Sequence, residues 1–182
     1  MDRAKELFLK YNGNRFFMDR EGDGSEYESY RVSKETEKEW AEEYISSFLK
    51  SGLRGREALR CYTAASELVR RDSGYKRLDA LLYYPLKSVN LDDVTVLFML
   101  GATFRMAENA AIKGRFSKED AERYLQELDI YIGDVLLRAE AGTLTRSEDY
   151  VMREFSDPVY VKEYLSGLKN KWKELCPKAA GG

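Results

Sequence analysis

The chain has 182 residues, 43% apolar, 34% charged and 13% aromatic, and its thirty basic and thirty-two acidic side chains leave a net charge of −2. That length suffices for one packed domain, and only three prolines and thirteen glycines in so aromatic a chain argue against disorder. Histidine is absent, which excludes Ser-His-Asp and Cys-His catalysis, histidine-ligated zinc or haem, and pH sensing by imidazole.

Helix punctuation is legible along most of the chain. A first helix is predicted over Asp2–Tyr11, ended by Asn12-Gly13. The next segment, residues 12–32, breaks the pattern. Its Gly-Asp-Gly turn separates two partly alternating stretches, which predicts a β-hairpin or ordered loop inserted into a helical domain. From Ser33, read as the N-cap, a long helix runs to about Lys50 with Trp40, Tyr44 and Phe48 on one stripe, closed by Gly52. A further helix covers about Arg56–Arg71 and stops at Asp72-Ser73-Gly74. Another covers Tyr75–Tyr84, where Pro85 is expected to end or kink it.

Asn90 is predicted to cap the most apolar helix, which reaches Lys113 and stops at Gly114. Its apolar run, Val94–Phe104, is about half of the ~20 residues that span a bilayer, so it reads as a core helix. Ser117 with Asp120 opens the following helix, whose Ala121, Leu125, Leu128, Ile132, Val135 and Ala139 keep a 3–4 spacing until Gly142. Thr145 and Glu148 have capping-box spacing for a short helix through Phe155. Pro158 then starts a last helix with Val161, Leu165, Leu168, Trp172 and Leu175 in one stripe and lysines opposite.

Cys61 and Cys176 lie far apart without a C-x-x-C or histidine partner, so neither a disulfide framework nor a zinc site is supported. The amino terminus has no apolar h-region, and the expectation is a cytosolic protein without a signal peptide or membrane span. Asp19, Asp23 and Gly24 match the first, fifth and sixth positions of an EF-hand loop. Tyr30 stands at the twelfth, where the bidentate glutamate belongs, so the segment reads as an acidic turn. No metal or cofactor is implied.

Three surfaces qualify as candidate sites. Aromatic side chains gather around the insert (Phe16, Phe17, Tyr27, Tyr30, Trp40 and Tyr44) and form either a partner-binding groove or a small aromatic core beneath the insert. The binding surface is assigned to Tyr27, Tyr30, Trp40 and Tyr44. Charge is also uneven: Asp19–Glu43 holds ten acidic and four basic residues, while Lys50–Arg77 holds eight basic and three acidic. Arg54, Arg56, Arg60, Arg70 and Arg71 therefore make a candidate basic patch for phosphates or an acidic surface, unless the two regions neutralise each other. Finally, Val94, Phe98, Gly101, Arg105 and Glu108 share one helical face, so Arg105 and Glu108 form a buried polar pair or mark where the helix leaves the core.

For catalysis, only carboxylates, lysines, tyrosines and thiols remain. Glu39-x-x-Glu42 and Glu119-x-x-Glu122 match the first half of the magnesium motif of all-α nucleotide pyrophosphohydrolases, and Glu154-x-x-Asp157 is the only second half available. No P-loop, nucleophile elbow or dinucleotide fingerprint occurs, and the balance leans away from an enzyme.

The expectation is one all-α domain over residues 1–182, an irregular bundle of seven or eight helices with room for HEAT-like stacking, carrying the hairpin-like insert at 12–32. The leading functional reading is a non-catalytic cytosolic interaction or regulatory module that binds a protein partner. The alternatives are a magnesium-dependent hydrolase using helix glutamates and, less favoured, nucleic-acid binding through residues 50–77. Oligomeric state is left open by the sequence.

Overall fold

The computed structural model describes residues 2–71, 75–146 and 154–178. Among them the chain forms nine α-helices and no strand: α1 (Asp2–Lys10), α2 (Arg15–Arg20), α3 (Gly24–Ser29), α4 (Lys34–Lys50), α5 (Gly55–Arg70), α6 (Leu78–Lys87), α7 (Asp93–Ile112), α8 (Lys118–Glu140) and α9 (Pro158–Lys178). The fold is all-α. Short 3-10 turns at Tyr75–Arg77 and Glu154–Ser156 complete it.

The predicted hairpin is replaced by the helical pair α2–α3. The Asn14 side chain accepts a hydrogen bond from the Phe17 amide and caps α2, and Gly22 ends it at φ +86°. Gly24 is buried where the two short helices meet, and any side chain there would fall onto the Asp19 carboxylate. The Gly-Asp-Gly turn is present, but it joins two single-turn helices.

Helix α7 is the spine of the molecule. Most of its length is buried, and it packs against α5, α6 and α9. Helix α8 covers α9, α4 covers α5, and α1 rests on α4 with the α2–α3 pair beside it. The α8–α9 pair is antiparallel, because Tyr124 stacks on Trp172 at 4.3 Å and Asp129 pairs with Lys169 at 2.8 Å. All five members of the α9 stripe are buried.

Local chemistry sets the helix ends. Ser33 accepts from the Thr36 amide, and Ser117 with Asp120 makes a complete capping box. The cap of α7 is Asp92, not Asn90: its carboxylate accepts from the Thr95 amide and hydroxyl, and it stands directly before the first helical residue. Glu148, the partner expected to complete a capping box with Thr145, lies outside the described residues. The Thr145 hydroxyl and amide both bond Asp93, and the remainder of the expected helix, together with the predicted stop at 72–74, lies outside the described residues.

Pro85 neither ends α6 nor leaves an orphan acceptor. A proline has no N–H for the carbonyl four residues before it, here Leu81. The buried Tyr62 hydroxyl donates to that carbonyl at 3.0 Å, and a 2.6 Å hydrogen bond joins it to Thr103. Helix α6 can therefore continue through the proline to Lys87.

Candidate partner-binding cleft

The corner built by α1, α2 and α3 carries the most exposed aromatic surface of the described residues. Phe16, Phe17 and Met18 are consecutive on a helix of six residues, about 100° apart around its axis, so only one can face the core. Met18 takes that place. Phe16 is left 70% exposed and Phe17 40% exposed, with their rings edge to face at 5.6 Å.

A cleft of about 430 Å³ opens beside Phe17, lined by Lys10, Tyr11, Asn12, Arg20, Glu21 and Asp23. Its charges are internally matched. The Lys10 ammonium and the Tyr11 hydroxyl both donate to Asp23, at 2.8 and 2.6 Å, and Arg20 pairs with Glu21 at 2.8 Å. Bonding by Lys10 and then by Tyr11 holds the Asp23 carboxyl below the ordinary carboxylate range. The cations also cover ring faces, with Arg20 4.9 Å from the Phe17 centroid and Lys10 4.7 Å from that of Tyr11. The result is an aromatic shelf edged by polar groups that are already satisfied.

The four aromatic residues assigned from sequence divide around this shelf. Tyr27 and Trp40 are buried, and Trp40 packs against Phe8 with ring centroids 5.8 Å apart. The Tyr27 hydroxyl donates to Glu37 at 2.8 Å, while Arg15 lies 4.0 Å over its ring and pairs with the same carboxylate. Burial, and then the Glu37 carboxylate, push the Tyr27 hydroxyl well above its ordinary range. Tyr44 is half-buried next to Cys61, and its hydroxyl is raised by burial and then by the thiol. Tyr30 alone is exposed, and its hydroxyl donates to Glu26 at 2.9 Å. Tyr27 thus fastens α3 onto α4, Trp40 packs α4 against α1, and the outward aromatics are Phe16, Phe17 and Tyr30.

The basic residues do not form one patch. Arg54, Arg56 and Arg60 are exposed near the start of α5, whereas Arg70 and Arg71 lie at its other end. Fourteen residues of helix between Arg56 and Arg70 correspond to about 21 Å. Arg70 is half-buried and paired with Glu67, and Arg77 reaches Glu42 of α4 at 3.3 Å. That last pair joins the basic region to the acidic one, so the two partly neutralise each other.

Arg105 and Glu108 are not a buried pair. Arg105 is exposed; Glu108 is half-buried and lines a recess of about 150 Å³ with Phe104, Lys171, Glu174 and Leu175. This face of α7 leaves the core in its second half. The charged group that is buried there is Asp93, only 8% exposed, which receives Arg138 at 2.7 and 3.2 Å and the Thr145 amide and hydroxyl at 2.9 and 3.0 Å. Aspartate in the first turn of a helix is ordinary in sequence, and its partners lie 45 and 52 residues away, so no local spacing points to them.

Nor are the helix glutamates assembled. Glu42 is committed to Arg77 and Glu122 to Lys118, and no group of three or more metal-binding side chains converges among the described residues. Cys61 and Cys176 are free and half-buried. Among the described residues no helix is long and apolar enough to cross a membrane. Comparison with protein-family models, with curated protein sequences and with solved structures finds no match to this chain.

Proposed function

We propose that the chain is a non-catalytic cytosolic interaction module that receives a protein partner on the Phe16–Phe17 shelf and its cleft. One observation carries the reading: Phe17, 40% exposed, lines a cleft of about 430 Å³, and the more exposed Phe16 ring stands edge-on to it at 5.6 Å. Fully burying a phenylalanine contributes about 1.5–3 kcal/mol, and rigid aromatics lose little conformational entropy when they are covered. Because Asp23, Lys10, Arg20 and Glu21 already satisfy one another, a partner can seat its apolar side chain without neutralising a bare charge. The shape and chemistry suit an extended peptide or loop with one apolar anchor.

The test compares capture of partners from the source cells by three proteins. These are the natural chain, Phe16→Asp/Phe17→Asp, and Arg54→Glu/Arg56→Glu. The reading expects a saturable interaction that the phenylalanine variant loses at least tenfold and the arginine variant keeps. Loss in the arginine variant alone, with the natural chain's binding weakened by phosphate or salt, would shift the site to α5 and overturn the proposal.

A further inference from the structure

A second face of the molecule, on the opposite flank of α7 from α5, is apolar where solvent would favour polar residues. On α8, Ile130 and Leu137 are 69% and 67% exposed and seven residues apart, so they share one stripe. Gly133 lies between them, and a methyl group at this mid-helix glycine would meet nothing within 4 Å. No contact among the described residues accounts for it, while glycine in a helix interior is unfavourable. On α9, Val159 is 63% exposed. The antiparallel register fixed by Tyr124 on Trp172 and Asp129 on Lys169 brings the Leu137 end of α8 beside the Val159 end of α9.

Charge is divided between the same two helices. Helix α8 carries seven acidic and three basic residues, and α9 carries five basic and two acidic. Asp129 and Lys169 already pair across the intramolecular contact, but Asp134 and Glu140 of α8 and Lys162 and Lys173 of α9 are exposed without an ion-pair partner among the described residues. The surface is thus self-complementary. An acidic helix with an apolar stripe lies next to a basic helix with its own exposed valine.

We infer that a second copy of the chain docks on this face, related by a two-fold axis parallel to the helices, so that α8 of each copy lies along α9 of the other in a four-helix bundle. Rotation about such an axis exchanges the lateral positions of α8 and α9 while keeping their levels. The Leu137 level of one copy then meets the Val159 level of the other, acidic side chains face lysines on both flanks, and every neighbouring helix runs antiparallel. Gly133 sits where the helix axes approach most closely. The Phe16–Phe17 shelf lies on α2, outside this face, so the two surfaces are independent.

Sedimentation velocity over a dilution series tests the inference. The expected result is a species of twice the chain mass that dissociates on dilution, and Leu137→Glu or Ile130→Glu should weaken it at least tenfold. Both side chains are largely in solvent, and unchanged far-ultraviolet circular dichroism would establish that each variant still folds. Asp134→Lys and Lys162→Glu, which stand at the same level in this register, should each weaken the dimer, and their combination should restore it. A natural chain that stays monomeric up to about 0.1 mM, a concentration at which even weak specific dimers are visible, would overturn the inference. So would a dimer indifferent to Leu137→Glu and Ile130→Glu.

Discussion

Each half of the molecule holds one tryptophan, and the two are kept in place by different physics. Around Trp40 the α1–α4 corner is laced by tyrosine–carboxylate and cation–ring contacts: Tyr11 to Asp23, Tyr27 to Glu37, Tyr30 to Glu26, and Arg15 over Tyr27. Immediately around Trp172 the contacts between α7, α8 and α9 are aromatic. Its indole stacks on Tyr124 and meets Phe104 and Phe116 edge-on, and neither its own N–H nor the Tyr124 hydroxyl has a hydrogen-bond partner among the described residues. The Trp172 end is built to persist, and the polar corner, held by contacts that water and salt can compete for, is the end that can adapt to a partner.

The contrast can be broken first at Trp172. Trp172→Ala leaves a large cavity between α8 and α9 and is expected to cost about 3–5 kcal/mol, read as a lowered urea midpoint. A smaller loss would mean that α8 and α9 can collapse over the gap. Next comes Tyr62→Phe. It removes only an oxygen, but it strands the Leu81 carbonyl that Pro85 cannot serve, and the expected cost is about 1–3 kcal/mol. An effect near zero would show that the α6 carbonyl finds another donor.

Acid should separate the two halves. Bonding to Lys10 and to Arg3 holds Asp23 and Glu26 below their ordinary range. A carboxylate depressed in the folded state contributes stability that is full above its unfolded pKa and is lost as pH falls through the folded value. The α1–α4 corner is therefore expected to loosen below about pH 4, while the Trp172 region is unaffected. Single-tryptophan proteins, Trp172→Phe and Trp40→Phe, read the two regions separately by fluorescence, and simultaneous acid transitions would dissolve the distinction. The smallest effect belongs to Phe16→Asp, expected within about 0.5 kcal/mol of the natural chain because the ring is mostly in solvent. A larger loss would make Phe16 part of the core.

Much of the scaffold was legible in the residues. Helices α4, α8 and α9 announce themselves by Ser33, by Ser117 with Asp120, and by Pro158, followed by unbroken apolar stripes. What escaped depends on partners distant in sequence or on elements too short to show a period. A helix of six residues gives less than two turns, so α2 and α3 imitate alternation. Pro85 reads as a stop until Tyr62, from another helix, supplies the missing donor. The candidate site was legible as a neighbourhood. Which of its aromatics face outward was not, because Met18 takes the core position on α2, Tyr27 that on α3, and Trp40 packs against Phe8 from α1.

The most direct test of the binding reading is a photo-crosslinking amino acid placed at position 16, compared with the same probe at position 56 on the exposed start of α5. The account expects one defined adduct from position 16 in the source cells, lost when Phe17→Asp is added, and none from position 56. An adduct from position 56 alone, or one from position 16 that survives Phe17→Asp, would contradict it.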